Sequence, residues 1–200
     1  MSEWTDHVAQ WKDCTKCPLG AQRDRICLGR GVIPAEIVFI GEAPGVSEDA
    51  LGLPFKGPAG ALLDQIIERA LPSNTRFALT NLVACFPRIA KEAGDNEPDP
   101  REIEACRPRL REFVRLCHPR LIVLVGQLAK WQVAGQNDFA LTRDEIDNGL
   151  PWLKPGKFIE FCDIVHPAAI LRMPLAQKQM AVQRAIVLIR RAFEDMIGRG

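Results

Sequence analysis

In the run "IVFIGEAPGVSED", residues 37–49, four apolar residues lead into Gly41-Glu42-Ala43-Pro44-Gly45, and Glu48 and Asp49 follow. A phosphate cradle wants glycines, backbone N–H groups and a lysine rather than acids. The turn is therefore not built to grip a phosphate at close range. On residue type alone, Glu48 and Asp49 read as loop acids that accept a nearby N–H. Three further positions carry chemistry. Asn81 interrupts an apolar run, and a buried amide needs partners. His166 precedes a proline, where it either caps a strand end or handles a proton. Phe55, in "GLPFKG", reads as a core aromatic or a stacking surface.

The cysteines form a second group. Seven in one chain is a high count for a reducing compartment, and an odd number without a secretion signal argues against a disulfide framework. Cys14 and Cys17 make a Cys-x-x-Cys beside Pro18, Cys85 ends an apolar run, and Cys106 follows a long loop. Two thiolates from the N-terminal arm and one from each side of that loop could close a four-sulfur site. Cys106 alone lies on the apolar face of its helix, where a core thiol is the plainer reading. Spacing does not separate zinc from an iron–sulfur cluster. Cys27, Cys117 and Cys162 read as packing residues, and His7 and His118 as surface residues.

These side chains need elements to position them. Apolar runs occur at 36–41, 77–86, 121–126 and 158–166. The first three each precede a helical pattern. Leu62, Leu63, Ile66, Ile67 and Ala70 share a face after Pro58. Asp99-Pro100-Arg101-Glu102 reads as a capped helix start, with Ile103, Cys106, Leu110, Phe113 and Cys117 on one face. "GQLAKWQVAG" follows the third run, and a long helix from Leu175 to about Met196 closes the chain. Ser2 reads as the cap of a first helix ending near Asp13. Strands apolar on both faces and alternating with helices predict a parallel sheet in a three-layer α/β/α sandwich.

In such sheets ligands sit beyond the carboxyl ends of the strands. The residues there are Gly41 to Gly45, Asn81, Gly126-Gln127 and His166-Pro167. A carboxylate, an amide and an imidazole would meet in one crevice, a set suited to reading a small polar heterocycle and handling a proton.

Bulk properties agree with one compact domain over residues 1–200, without repeats or linkers; 88–100 and 135–157 read as surface loops. No stretch approaches the roughly 20 apolar residues of a spanning helix. The opening "MSEWTDHVAQWKD" lacks the basic start and apolar core of a signal peptide, so the cytoplasm is expected and no membrane partner is. A net charge of +1 leaves any nucleic-acid contact to a local patch. Nothing calls for more than a monomer.

"CTKCPLGAQR", "GEAPGVSED", "GLPFKGPAG", "TNLVAC", "EIEACRPRL" and "VHPAAILR" occur in that order. Together they resemble the iron–sulfur (family four) uracil-DNA glycosylases, over nearly the whole chain from Cys14 to about Arg172. The resemblance implies a four-stranded parallel sheet and a structural [4Fe–4S] cluster on Cys14, Cys17, Cys85 and Cys106, against the core-thiol reading of Cys106. It implies hydrolysis of the bond between uracil and deoxyribose in uracil-containing DNA, the first step of base excision repair.

Catalytic roles would fall to Glu42 and Glu48, which would position water and support positive charge on the sugar, and to His166, facing uracil O2. Ala43, Gly45, Phe55, Asn81 and Arg172 would bind substrate. Phe55 would stack on the flipped base, and Asn81 would pair with O4 and N3–H. Arg172 and the "AAILR" segment would meet phosphate or fill the vacated stack. Two departures stand out: a long loop between Cys85 and Cys106 containing the acidic "AKEAGDNEPD", and alanine where the family more often has serine after His-Pro. Rival readings are a relative that traps uracil-DNA covalently, a non-catalytic uracil-DNA binder, and a zinc protein of the same fold.

Overall fold

A computed structural model describes residues 3–88, 97–134 and 159–198. Its elements run α1 (Glu3–Trp11), a 3₁₀ turn (Pro18–Ala21), β1 (Arg30–Gly31), β2 (Ile37–Gly41), α2 (Val46–Leu51), α3 (Pro58–Ala70), β3 (Phe77–Asn81) and α4 (Pro100–Cys117). They continue as β4 (Leu121–Val125), α5 (Gln127–Ala134), β5 (Glu160–Ile164), α6 (Pro167–Leu171) and α7 (Leu175–Gly198). The strand order is β1-β3-β2-β4-β5. All pairs are parallel except β1, which runs antiparallel along the outer edge of β3.

The four apolar runs thus become the four parallel strands, and the sheet gains a fifth, two-residue strand that the sequence reading lacked. β1 pairs Arg30 with Leu79 and Gly31 with Ala78, giving β3's open edge a partner. β3 also stops earlier than its apolar run. After Asn81 the amides of Leu82 and Val83 turn to the carbonyls of Gly41 and Glu42. Ser2, the part of the 88–100 loop from 89 to 96, and all of 135–157 lie outside the described residues.

Alternation along the strands builds the layers. Val38, Ile40, Ile122 and Leu124 pack with α4 residues Ile103, Leu110, Phe113 and Val114. Ile37, Phe39, Val123 and Val125 face the other way, onto Leu63, Ile66 and Ile67 of α3 and Ile186 and Ile189 of α7. Each such fully buried side chain contributes about 1.5–3 kcal/mol relative to exposure. The expected caps form. Pro58 opens α3, and the Asp99 carboxylate accepts the Arg101 and Glu102 amides while Glu102 accepts that of Asp99. No helix among the described residues is long and apolar enough to cross a membrane.

One expectation fails outright. His7 is not a surface residue: it is wholly buried where α1 meets α4, stacked on Trp4, with Nδ1 3.1 Å from Glu112 Oε1. A lone histidine in a polar segment gave no sign that Trp4, Trp11 and Phe113 would close around it. Burial holds its pKa below the ordinary value, with Glu112 opposing. His118 is exposed as expected.

Candidate active site

The carboxyl ends of the parallel strands bring most of the chosen residues to one edge. Gly41 and Asn81 end β2 and β3 and stand opposite each other in register. A Cβ on Gly41 would lie 2.5 Å from Asn81 Oδ1 and overlap the Phe55 ring. Glycine is therefore required where carboxamide and ring meet over the strand end. Asn81 and Phe55 are both buried, at 2% and 5% exposure.

Phe55 holds an unusual backbone. Its φ of 55° is left-handed, a conformation that costs a non-glycine residue on the order of 1–3 kcal/mol unless its surroundings impose it. Arg30 supplies part of that restraint, donating from Nε to the Pro54 carbonyl at 2.8 Å and from Nη2 to the Phe55 carbonyl at 3.2 Å. Arg30 is itself paired with Asp64. Sequence reasoning missed Arg30, since nothing in its spacing ties it to position 55.

The two acids of the turn differ. Glu48 is buried, and its oxygens accept the amides of Gly45 at 3.1 Å, Lys56 at 2.9 Å and Gly57 at 2.7 Å. It stitches the β2 turn to the loop carrying Phe55. Glu42 is half-buried, and its carbonyl accepts the Val83 amide, linking the turn to the end of β3. Ala43 is half-buried against the core, and Gly45 precedes α2. Asp49 faces away from this edge, accepting the Asp24 amide and pairing with Arg88, which also pairs with Asp24.

His166 lies across the sheet, just past β5 and at the start of α6. Its Nδ1 accepts the Ala168 amide at 3.2 Å, so the neutral ring carries its proton on Nε2. Burial lowers its pKa, the Arg172 charge lowers it further, and Glu48 opposes both. Gly126, at φ 100°, leaves room for the ring: a Cβ there would lie 3.1 Å from His166 Cβ and 3.2 Å from Cδ2. β2 and β4 lie between β3 and β5, so three strand spacings, about 14 Å, separate the strands that lead to Asn81 and His166. The Glu42–Glu48 turn follows β2, between them. Arg172 is exposed at the end of α6, its charge reaching His166.

The four cysteines expected to act together come from the N-terminal arm, the segment after β3, and α4. All are free thiols. Cys17, Cys85 and Cys106 lie near enough for each to raise the pKa of a neighbour, although burial is the larger cause for Cys17 and Cys85, and Cys85 is pushed up to about 11. Cys14 and Cys106 pack against the same small core of Trp11, Leu28 and Ala84. Arg23 joins Cys14 to Cys85, with Nη1 2.6 Å from the Cys14 carbonyl and 3.5 Å from Cys85 Sγ. Among the described residues no group of three or more His, Cys, Asp or Glu is placed to hold a metal ion. The remaining thiols are packing residues as expected: Cys27 donates to the Glu48 carbonyl, and burial pushes Cys27 and Cys162 up to about 12 and Cys117 higher still.

The carboxyl edge of the parallel sheet thus carries an aromatic ring, a carboxamide, a carboxylate turn and an imidazole. A model of the Uracil DNA glycosylase superfamily matches residues 28–189. The chain is similar to proteins named Type-4 uracil-DNA glycosylase. The one from Pyrobaculum aerophilum is 34% identical over 82% of each chain. That from Archaeoglobus fulgidus is 31% identical over 90% of this chain and 88% of its own, and that from Thermotoga maritima 32% over 80% and 79%. The chain belongs to the uracil-DNA glycosylase superfamily, among its type-4 members.

Proposed function

We propose that this protein hydrolyses the N-glycosidic bond between uracil and deoxyribose in DNA, releasing uracil and leaving an abasic site for repair. The observation that carries this reading is the meeting of Phe55 and Asn81 over Gly41, on the same edge as a neutral His166. A uracil flipped from the stack would lie on the Phe55 ring. The Asn81 amide would donate to O4 while its carbonyl accepts N3–H. Cytosine presents the reverse pattern and leaves the amide mispaired.

As the N1–C1′ bond breaks, its electron pair leaves with uracil and the sugar becomes oxocarbenium-like. His166 Nε2–H donates to O2, where the departing anion's charge gathers. Water adds at C1′, and the proton it gives up is taken up overall by the departing uracil anion. Glu42 and Glu48 are the carboxylates that would orient that water, and Glu48, whose oxygens accept three backbone amides, is also the clamp that shapes the loop. Either carboxylate stabilises the positive sugar. Ala43 and Gly45 let the turn approach the base closely. Arg172 and the adjoining Leu171, 37% exposed, suit a phosphate contact and the space the base vacates.

Incubation with a uracil oligonucleotide followed by alkali tests the activity. Strand cleavage at uracil supports it. Retention of intact DNA would indicate a binder, and a denaturation-resistant adduct a covalent trap.

The donor set of Cys14, Cys17, Cys85 and Cys106 fits a [4Fe–4S] cluster. Arg23 beside two of the cysteines offsets the negative charge such a group carries. The cluster would supply a structural tie between the N-terminal arm and α4. Cys14→Ser is expected to remove most of the iron and the broad visible absorption; an unaltered iron content and spectrum would contradict the ligand assignment. Further parts of the reading are a single domain, acting as a monomer in the cytoplasm.

The neutral state of His166 predicts a pH effect. Its pKa lies below the ordinary 6.5, so kcat/KM falls only as pH drops through that lower value, where protonated Nδ1 no longer accepts the Ala168 amide. Arg172→Gln removes a cation, raises the His166 pKa, and should move the acid limb of kcat/KM upward. A limb that stays put or moves down would show that His166 does not set it.

A further inference from the structure

Arg109 is 1% exposed, in the middle of α4. Such a charge is costly to bury unless it is paired. Yet no ion pair within 4.0 Å is formed by Arg109 among the described residues. Its two terminal nitrogens donate instead to neutral oxygens, most of them at the end of β3. Nη2 donates to the Asn81 carbonyl at 2.6 Å and the Leu82 carbonyl at 3.0 Å. Nη1 donates to Thr80 Oγ1 at 2.7 Å and the Leu28 carbonyl at 3.4 Å, and Thr80 Oγ1 donates to that same carbonyl. Nε is buried without a partner.

Two consecutive carbonyls are thus held by one guanidinium nitrogen, Nη2, while Nη1 of the same planar group holds Thr80, all beside the side chain that meets Phe55 over Gly41. The other side of the same segment is fixed as well, with Leu82 and Val83 donating to the Gly41 and Glu42 carbonyls. Between them these bonds set the peptide plane following Asn81, and therefore the direction of its Cα–Cβ bond. An apolar residue would fill the space without the desolvation cost. A rigid planar group that grips adjacent carbonyls with one nitrogen and a side-chain hydroxyl with the other is what guanidinium offers and an alkyl chain does not.

We infer that Arg109 is a positioning residue for base recognition: it holds the end of β3 so that the Asn81 carboxamide presents its donor and acceptor to the pyrimidine edge. This rests on the reading of Asn81 given above. Arg109 touches no substrate, and its effect passes through Asn81.

A double-mutant cycle tests this, with kcat/KM on a uracil oligonucleotide and the inhibition constant of free uracil measured per folded enzyme. In the Asn81 background, Arg109→Met is expected to lower kcat/KM and weaken uracil inhibition about tenfold. In the Asn81→Ala background the same substitution should change either by less than about twofold, because the group it orients is gone. Equal factors in both backgrounds, or no loss in the first, would overturn the inference and leave Arg109 as a packing residue. If Arg109→Met does not fold, Arg109→Lys enters the same cycle under the same criteria, since a single ammonium nitrogen cannot hold the two carbonyls and Thr80 Oγ1 together in the planar geometry of the guanidinium. Asn81→Ala alone reports on the underlying reading: wild-type uracil inhibition there would show that Asn81 does not read the base, separately from any result at Arg109.

Discussion

His166→Ala lowers the rate of uracil release by about 10²–10³-fold, the range expected when a donor to developing negative charge is removed. The expectation follows from the ring's state and setting. Nδ1 is committed to the Ala168 amide, so Nε2 carries the proton and the ring cannot swing. The substitution also deletes the side-chain cap of α6, which costs about 1 kcal/mol. A helix of five residues anchored by buried Pro167 and Ile170 absorbs that loss without unfolding. Single-turnover rates at saturating enzyme separate chemistry from binding, and a melting curve confirms the fold. A rate within threefold of the parent would remove His166 from the mechanism.

Asn81→Ala has the second large effect, on selection rather than on bond breaking. Alanine forfeits two hydrogen bonds to the base, each with a net value of about 1–1.5 kcal/mol, and leaves N3–H and O4 of the enclosed uracil unpaired. The inhibition constant of free uracil should rise by about a hundredfold. Cytosine loses nothing comparable, because the amide opposed it, so the uracil-to-cytosine ratio collapses. Competition assays with the two free bases measure this. An unchanged ratio would mean that the pyrimidine edge is read elsewhere.

The parts of the fold visible in the sequence were those fixed by local pattern. The four parallel strands announce themselves because both faces of β2 and β4 are buried, and Asp99 with Glu102 signals the start of α4 by side-chain chemistry alone. β1 was invisible: Arg30-Gly31 carries no alternation and exists as a strand through its bonds to β3. Of the candidate site, Gly41, Asn81 and His166 could be placed at strand ends in advance. The distinction between Glu42 and Glu48 could not, since Glu48's three amide partners come from two loops that only the folded chain brings together.

Arginines were the main blind spot. Arg30, Arg23 and Arg109 each grip backbone carbonyls distant in sequence, and a basic residue reads by default as solvated. Arg109 left one clue, for it falls on the buried stripe of α4 beside Leu110. His7 was misjudged for a related reason, because its enclosure depends on aromatic rings from two helices.

The register of β2 against β3 limits how this chain can vary in length. Gly41 meets Asn81 only because both strands reach the mouth together, and side chains alternate in direction at every residue. Adding or deleting one residue between Phe77 and Asn81 would turn the carboxamide to the opposite layer and point Thr80 or Leu82 at the base. Descendants of this sequence can therefore lengthen their connecting segments, but the short parallel strands behave as a ruler whose graduations cannot be moved.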